Sequence, residues 1–219
     1  MHRVILAIIT HNEEISLVCT TSLLRLQQLA ARRDDILLDV HLVPTFLEAL
    51  NTYDKGDYVF VLDGNIGMSP DFLFQAVASE HQVVAGVYPL PHVDWERVER
   101  VLRDDSSTEP LNHAGNVYNV TPSPGRGLTA YAKIKEVKEL KVLCLKSSVL
   151  ENLAGPETSY DKGHLFTHES VFFDKLQNEY QTLARKIGLE HIVADLERPC
   201  TCAGPAQFAG CVGMRGSVR

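Results

Sequence analysis

Asp63-Gly64-Asn65 directly follows the apolar run 58–62 and precedes a helix-start signal at Ser69-Pro70. A carboxylate at the carboxyl end of a buried strand can hold a hard divalent cation, and that cation can bridge a diphosphate. The same triplet also suits a plain turn, because Asp, Gly and Asn all tolerate turn backbones. Thr10-His11-Asn12-Glu13-Glu14 follows the first apolar run, where a nucleotide approaches a sheet of this kind. Its polar groups can read a base edge and ribose hydroxyls; the alternative is a helix N-terminus whose two glutamates gain from the dipole. Glu169, beside His168 at a helix start, is either a general base or another dipole-complementing residue. Cys200-Thr201-Cys202, with Cys211 and His191, lacks the Cys-x-x-Cys spacing of zinc ribbons, and the chain lacks the His-x-Glu of nucleobase deaminases. Small packed thiols are the plainer reading.

These groups need a scaffold. Runs 4–9, 36–43, 58–62 and 83–87 are rich in branched residues and mostly lack alternation, as expected of strands covered on both faces. Between them, helical spacing covers 13–33, with Leu17, Leu24 and Leu29 among its apolar positions, then 45–53 and 71–81. Ser69 is placed to cap the third helix and Pro70 to open it. The order βαβαβαβ predicts right-handed crossovers and a doubly wound parallel sheet, with ligands at the carboxyl ends of its strands. Residues 104–127, dense in Asp, Ser, Pro, Asn and Gly, read as a long mobile loop of the kind that closes over a cleft. The stretch 129–146 predicts two antiparallel strands, 147–153 a short helix, 168–187 a helix stopped by Gly188, and 191–196 a final strand.

A chain of 219 residues suits a single domain over 1–219. Its 21 Lys plus Arg against 28 Asp plus Glu give a net charge of −7, so no global field favours nucleic acid or anionic lipid. Any phosphate must be met by a local device. The opening apolar run is too short for a signal-peptide core or a membrane span, which predicts a soluble, cytoplasmic protein. Five cysteines, an odd number, do not form a disulfide framework, and the sequon Asn119-Val120-Thr121 is expected to be silent. The absence of Gly-x-Gly-x-x-Gly, Gly-x-x-x-x-Gly-Lys-Ser/Thr and Gly-x-Ser-x-Gly argues against dinucleotide oxidoreductases, P-loop nucleotidases and α/β hydrolases.

Taken in order, these segments resemble the compact GT-A-fold glycosyltransferases, especially the small viral enzymes encoded by large DNA viruses and phages. Tyr58-Val59-Phe60-Val61-Leu62-Asp63-Gly64-Asn65-Ile66-Gly67 is similar to the hydrophobic strand ending in Asp-x-Asp-Ile-Gly that carries the family's metal motif. Val83-Val84-Ala85-Gly86-Val87-Tyr88-Pro89-Leu90, followed by Val93-Asp94-Trp95, resembles a Gly-x-Tyr-Pro segment followed by Asp/Asn-Trp. Ile9 to Glu14 resembles the nucleotide-contacting turn after the first strand, and 142–153 a later strand-helix segment. His168-Glu169-Ser170-Val171-Phe172-Phe173 lies where the family shows Ser-Glu-Asp and aromatics. Cys202-Ala203-Gly204 and Phe208-Ala209-Gly210 lie where it shows His-x-Gly and Phe-x-Gly.

The resemblance implies a GT-A-like α/β fold, with a mainly parallel central sheet, flanking helices and a small antiparallel addition. It implies a nucleoside-diphosphate sugar donor, a UDP-sugar in the first instance, a carbohydrate or protein hydroxyl as acceptor, and Mn²⁺ or Mg²⁺ as cofactor. Thr10, His11, Asn12, Glu13, Asn51, Asp63, Gly64, Asn65, Gly86 and Tyr88 would contact the donor, Asp63 and Asn65 the cation, and Glu169 would act as base. The sequence also departs from the pattern. Asn65 stands for the second metal aspartate, Ser170 for the aspartate of an acidic pair, and Cys202 for a metal-binding histidine. Leu50-Asn51 replaces Arg-Asn, and Glu139-Leu140-Lys141 replaces Gly-x-Gly. The departures support a second expectation, a catalytically silent GT-A-like module that binds nucleotide or a partner protein.

Overall fold

The computed structural model describes residues 1–104, 107, 115–123, 130–154 and 178–202. The four apolar runs are strands: β1 (His2–Ile9), β2 (Ile36–Val43), β3 (Tyr58–Asp63) and, after the two-residue β4 (Ile66–Gly67), β5 (Val83–Gly86). Helix α1 (Leu17–Ala30) joins β1 to β2, α2 (Phe46–Leu50) and a short 3-10 turn (Tyr53–Lys55) join β2 to β3, and α3 (Pro70–Ala78) leads to β5. Then come β6 (Pro89–Val93), α4 (Trp95–Arg103), β7 (Asn116–Tyr118), β8 (Val120–Pro122), β9 (Tyr131–Val137), β10 (Val142–Lys146) and α5 (Ser147–Ala154). The described chain closes with α6 (Glu179–Ile187), β11 (Ile192–Asp195) and β12 (Thr201–Cys202).

One eight-stranded sheet, in the order β2-β1-β3-β10-β5-β11-β9-β8, organises the molecule. Successive residues of its central strands feed opposite cores, which is why the sequence lacks alternation. Ala7, Ile9, Val59 and Val61 pack with Phe46, Ala49 and Leu50 of α2 and with Leu150 and Leu183 of α5 and α6. Val4, Leu6, Ile8, Phe60 and Leu62 pack instead with Leu23 and Leu26 of α1 and Phe72 and Leu73 of α3. Each fully buried Val, Leu, Ile or Phe among them contributes about 1.5–3 kcal/mol.

The sheet is mixed rather than mainly parallel. β2, β1 and β3 are mutually parallel, as are β5 and β11, but β10 lies between β3 and β5 and is antiparallel to both. Val142, Leu143, Cys144 and Leu145 are all buried, so β10 carries apolar side chains on both faces and fits only a sheet interior. β9 buries Ile134 and Val137, three residues apart because a bulge interrupts its pairing with β8, and it pairs with β11 on its other side. The two strands predicted over 129–146 therefore exist but do not pair with each other.

Other boundaries moved for local reasons. α1 begins at Leu17 and not at residue 13, because Thr10 to Ile15 are spent on a tight turn and the Ser16 hydroxyl accepts from the Cys19 N–H at 3.3 Å. Its buried stripe is Cys19, Ser22, Leu23, Leu26 and Ala30, which leaves Leu17, Leu24 and Leu29 exposed. Pro70 opens α3 as expected, but Ser69 caps without a side-chain hydrogen bond. Within the predicted loop 104–127, residues 116–118 and 120–122 are strands; its remaining stretches, 105–106, 108–114 and 124–127, lie outside the described residues. So does residues 168–177 of the predicted late helix, whose end at Gly188, φ 89°, is as expected. Among the described residues, no helix is long and apolar enough to cross a membrane.

Candidate functional site

β1 has β2 on one side and β3 on the other. The chain leaves β1 for β2 and returns past it to β3, so the carboxyl ends of β1 and β3 flank a topological switch point, where open α/β sheets bind ligands. Ile9 and Asp63 are register partners there, so the turn after Ile9 stands beside the Asp63 loop. His11 and Glu14 close that turn with two backbone hydrogen bonds of 3.0 Å, and Asn12 and Glu13 between them have φ of 53° and 66°. Positive φ at both central positions is the type I′ pattern, common for Asn but strained for Glu. Glu13 and Glu14 therefore precede α1 and do not complement its first turn.

The turn aims His11 at Asp63. Imidazole Nε2 lies 2.9 Å from Asp63 Oδ1, and the same oxygen accepts the Asn65 N–H at 2.8 Å. A carboxylate oxygen only accepts, so Nε2 carries the hydrogen in this contact. Asp63 is 3% exposed, yet Oδ2 has no hydrogen-bond donor among the described residues. Gly64 locks the loop: its N–H donates to Ile9 O at 2.8 Å and its carbonyl accepts from Ser16 N–H at 2.7 Å. A Cβ on Gly64 would lie 2.8 Å from Ile9 O and 2.9 Å from Ile15 Cγ2, so only glycine fits between β1 and α1. The Asn65 side chain is exposed beside the pair.

Two late segments return to this place. Asp63 N–H donates to Lys141 O at 2.8 Å, which brings the start of β10 to the end of β3. Lys141 Nζ stands 3.2 Å from Glu139 Oε2, within ion-pair distance but not aligned as a hydrogen bond, and that buried oxygen has no other partner among the described residues. β12 pairs with β4, which sets Cys202 opposite Ile66, while its thiol donates to Pro89 O at 3.3 Å. Burial pushes the Cys202 pKa up to about 11, with Lys141 opposing and Asp63 and Glu139 adding to the rise, so the sulfur is a protonated thiol at neutral pH. Tyr180 of α6 is raised too, by burial first and then by Glu179 and Asp63.

The structure thus gathers His11, Asp63, Gly64 and Asn65, with Thr10, Asn12 and Glu13 in the same turn. Thr10 also ties β1 to β2, its N–H donating to Val43 O at 2.9 Å. Asn51 caps the carboxyl end of α2, its N–H on Leu47 O. Gly86 and Tyr88 lie deeper. A Cβ on Gly86 would come within 2.6 Å of Val142 Cγ1, so this glycine admits β10. Tyr88 is 1% exposed, and its hydroxyl accepts the Lys141 N–H at 3.1 Å. Asn119 joins these parts: Nδ2 donates to Gly86 O at 3.0 Å and Glu139 O at 3.1 Å, and Oδ1 accepts from Tyr88 N–H at 2.9 Å. With no exposed surface it is closed to glycosylation in the folded chain. Glu169 lies outside the described residues, as do Ser170, Gly204 and Phe208.

Sequence reasoning missed Lys141 and Glu139 as members of the site. Their signal was two opposite charges two residues apart at the mouth of a buried strand, in a stretch that local patterning assigned to two antiparallel strands. Among the described residues no group of three or more His, Cys, Asp and Glu could hold a metal by itself. No protein-family model matches the sequence, and no curated protein matches it.

Proposed function

We propose that the protein is a glycosyltransferase that takes a sugar from a nucleoside-diphosphate sugar, a UDP-sugar in the first instance, and passes it to a hydroxyl of a carbohydrate or protein. The observation that carries this reading is the buried Asp63 carboxylate at the switch point, oriented by His11 and the Asn65 N–H, whose Oδ2 has no donor among the described residues. The motif resemblance supplies the donor class. Thr10, His11, Asn12 and Glu13 stand where a nucleoside would lie against the end of β1. Asp63 and Asn65 would hold Mn²⁺ or Mg²⁺, which, when bound, neutralises charge on the leaving diphosphate. One free carboxylate oxygen and one amide make a weak site for a hard cation, so the donor's own phosphates must complete the shell. Lys141 adds a cation close enough that it, Asp63 and Glu139 all bear on the Cys202 thiol. Glu169 is the proposed base, which removes the acceptor proton as the new bond forms.

Titration calorimetry of Mn²⁺ with and without UDP tests this directly. The expected result is weak metal binding alone, at least tenfold tighter binding with UDP, and loss of that coupling in Asp63→Ala. Tight binding without nucleotide, or coupling unchanged in Asp63→Ala, would overturn it. The second reading, a silent module, is favoured by Asn65 in place of a second carboxylate and by the lack of a self-sufficient metal cluster among the described residues. UDP binding without release of sugar from any UDP-sugar would select it.

A further inference from the structure

The outer edge of β2 has no strand paired to it among the described residues, although it is eight residues long, nearly devoid of charge and without a bulge in its pairing to β1. Such an edge is a template for another strand, and proteins usually blunt it with Lys, Pro or a bulge. Here Leu37, Val40 and Leu42 remain 44%, 39% and 65% exposed. The inward carbonyls are identified by two hydrogen bonds, His2 N–H to Asp35 O and Thr10 N–H to Val43 O. Strand geometry alternates the direction of backbone groups, so the amides and carbonyls of Leu38, Val40 and Leu42 point away from the sheet.

From this edge we infer that a second copy of the chain pairs with β2 in antiparallel register about Val40, forming a two-fold dimer with a continuous sheet. A two-fold axis through the edge pairs residues whose numbers have the same parity, and only a few registers are open. Centring on Asp39 would set two carboxylates against each other. Centring on Val40 pairs Val40 with its own mate and Leu38 with the partner's Leu42, all through outward backbone groups. It also sets Asp39 opposite the partner's His41 in the closer, non-hydrogen-bonded kind of pair, where Cα atoms are about 4.5 Å apart. Arg3 occupies Asp39 Oδ2, which leaves Oδ1 without a donor among the described residues. An imidazole N–H can donate to it in either protonation state.

The side-chain relief fits the same register. Ile36, Leu38 and Val40 share a groove with Gln27 and Ala30 of α1 and Ala31 at its cap, which Arg33 and Asp34 also line. The partner's Leu42, the most exposed residue of the strand, falls beside Leu38 and so into that groove. Leu24, 56% exposed, lies one turn before Gln27 on α1 and extends the apolar strip. Pro44, which follows the strand, has no N–H and ends the pairing. The contact is isologous and closes on itself, so it yields a dimer and not a filament.

Sedimentation velocity over a concentration series, joined to residue-resolved amide exchange, tests the inference independently of any donor binding. The wild-type chain should dimerise by mass action, with the Leu38, Val40 and Leu42 amides protected at high concentration and exchanging fast on dilution. Val40→Pro deletes an outward donor without touching the pairing to β1, and should give a monomer. His41→Asp sets carboxylate against carboxylate twice and should raise the dimer dissociation constant at least tenfold, with the melting temperature of the dilute chain unchanged. A wild type that stays monomeric, including one whose edge serves a different protein, would overturn the inference. So would a dimer that leaves these three amides unprotected or that survives His41→Asp at full strength.

Discussion

Glu13 holds a left-handed backbone, φ 66°, in which its Cβ costs roughly 1–2 kcal/mol. Asn12 tolerates the same conformation more easily, so the strain is concentrated on the glutamate. Strained residues persist where the surroundings over-determine them, and here the His11–Glu14 hydrogen bonds and the His11–Asp63 contact do so. Glu13→Gly should therefore stabilise the chain by about 1 kcal/mol, raising its melting temperature by about 2–4 °C. If the Glu13 carboxylate reads ribose hydroxyls, the same variant binds UDP at least tenfold more weakly despite its higher melting point. Calorimetry and thermal unfolding on one preparation separate the two effects; unchanged affinity assigns Glu13 to the turn alone.

Segments meet at two small residues, and each makes a sharp prediction. Gly64→Ala drives a methyl group against the Ile9 carbonyl and the stiff β-branch of Ile15, an overpacking that costs about 1–3 kcal/mol. Urea unfolding should show that loss, and under the proposed function UDP affinity should fall with it because Asp63 is the preceding residue. Asn119→Ala strips two carbonyls and one N–H of their partner where Asn119 has no exposed surface, and should cost about 2–3 kcal/mol. A near-neutral result would mean that water enters between β5 and β10. At this scale much was legible in the residues. Runs 4–9, 36–43, 58–62 and 83–87 are strands because branched residues buried on both sides have few other solutions. The register of α1 was less legible, since its sequence carries two apolar stripes, Leu17 with Leu24 and Cys19 with Leu23, Leu26 and Ala30. Which one faces the sheet depends on where the helix starts, and the turn at Asn12 and Glu13 decides that.

Across the whole molecule, alkaline pH is the condition that should expose the buried acids. Burial raises Cys19 to about 11, Cys144 to about 12 and Cys202 to about 11, and pushes Tyr53, Tyr58, Tyr88, Tyr131 and Tyr180 upward as well. Each folded pKa lies above its unfolded value, so the fold favours the protonated form. That contribution is complete below the ordinary thiol pKa of 9.0 and is lost as pH rises through about 11 to 12. The urea midpoint should hold steady up to about pH 9 and then fall; a flat profile to pH 11 would contradict it. The candidate site was half legible at this scale. Asp63 and the Thr10 to Glu14 turn were readable because each lies at the end of a strand, whereas the place of Lys141 and Glu139 was not, because two opposite charges before an apolar run do not say that this run inserts beside β3.

The late insertion of β10 also has a bearing on how the chain comes into being. During synthesis β3 and β5 both emerge well before residues 142–146, so a nascent chain holds β2-β1-β3 with its β3 edge open and β5 with neither of its partner strands, β10 and β11. Neither can close by a local hairpin, and such long-range pairing makes folding slow and leaves apolar edges available to aggregation. The acceptor for the Asp63 amide, Lys141 O, arrives with the same strand. Backbone support of Asp63 and the joining of β3 to β5 are thus a single event: a truncated or stalled chain ending before β10 should be a client for chaperones, with the proposed donor site unformed.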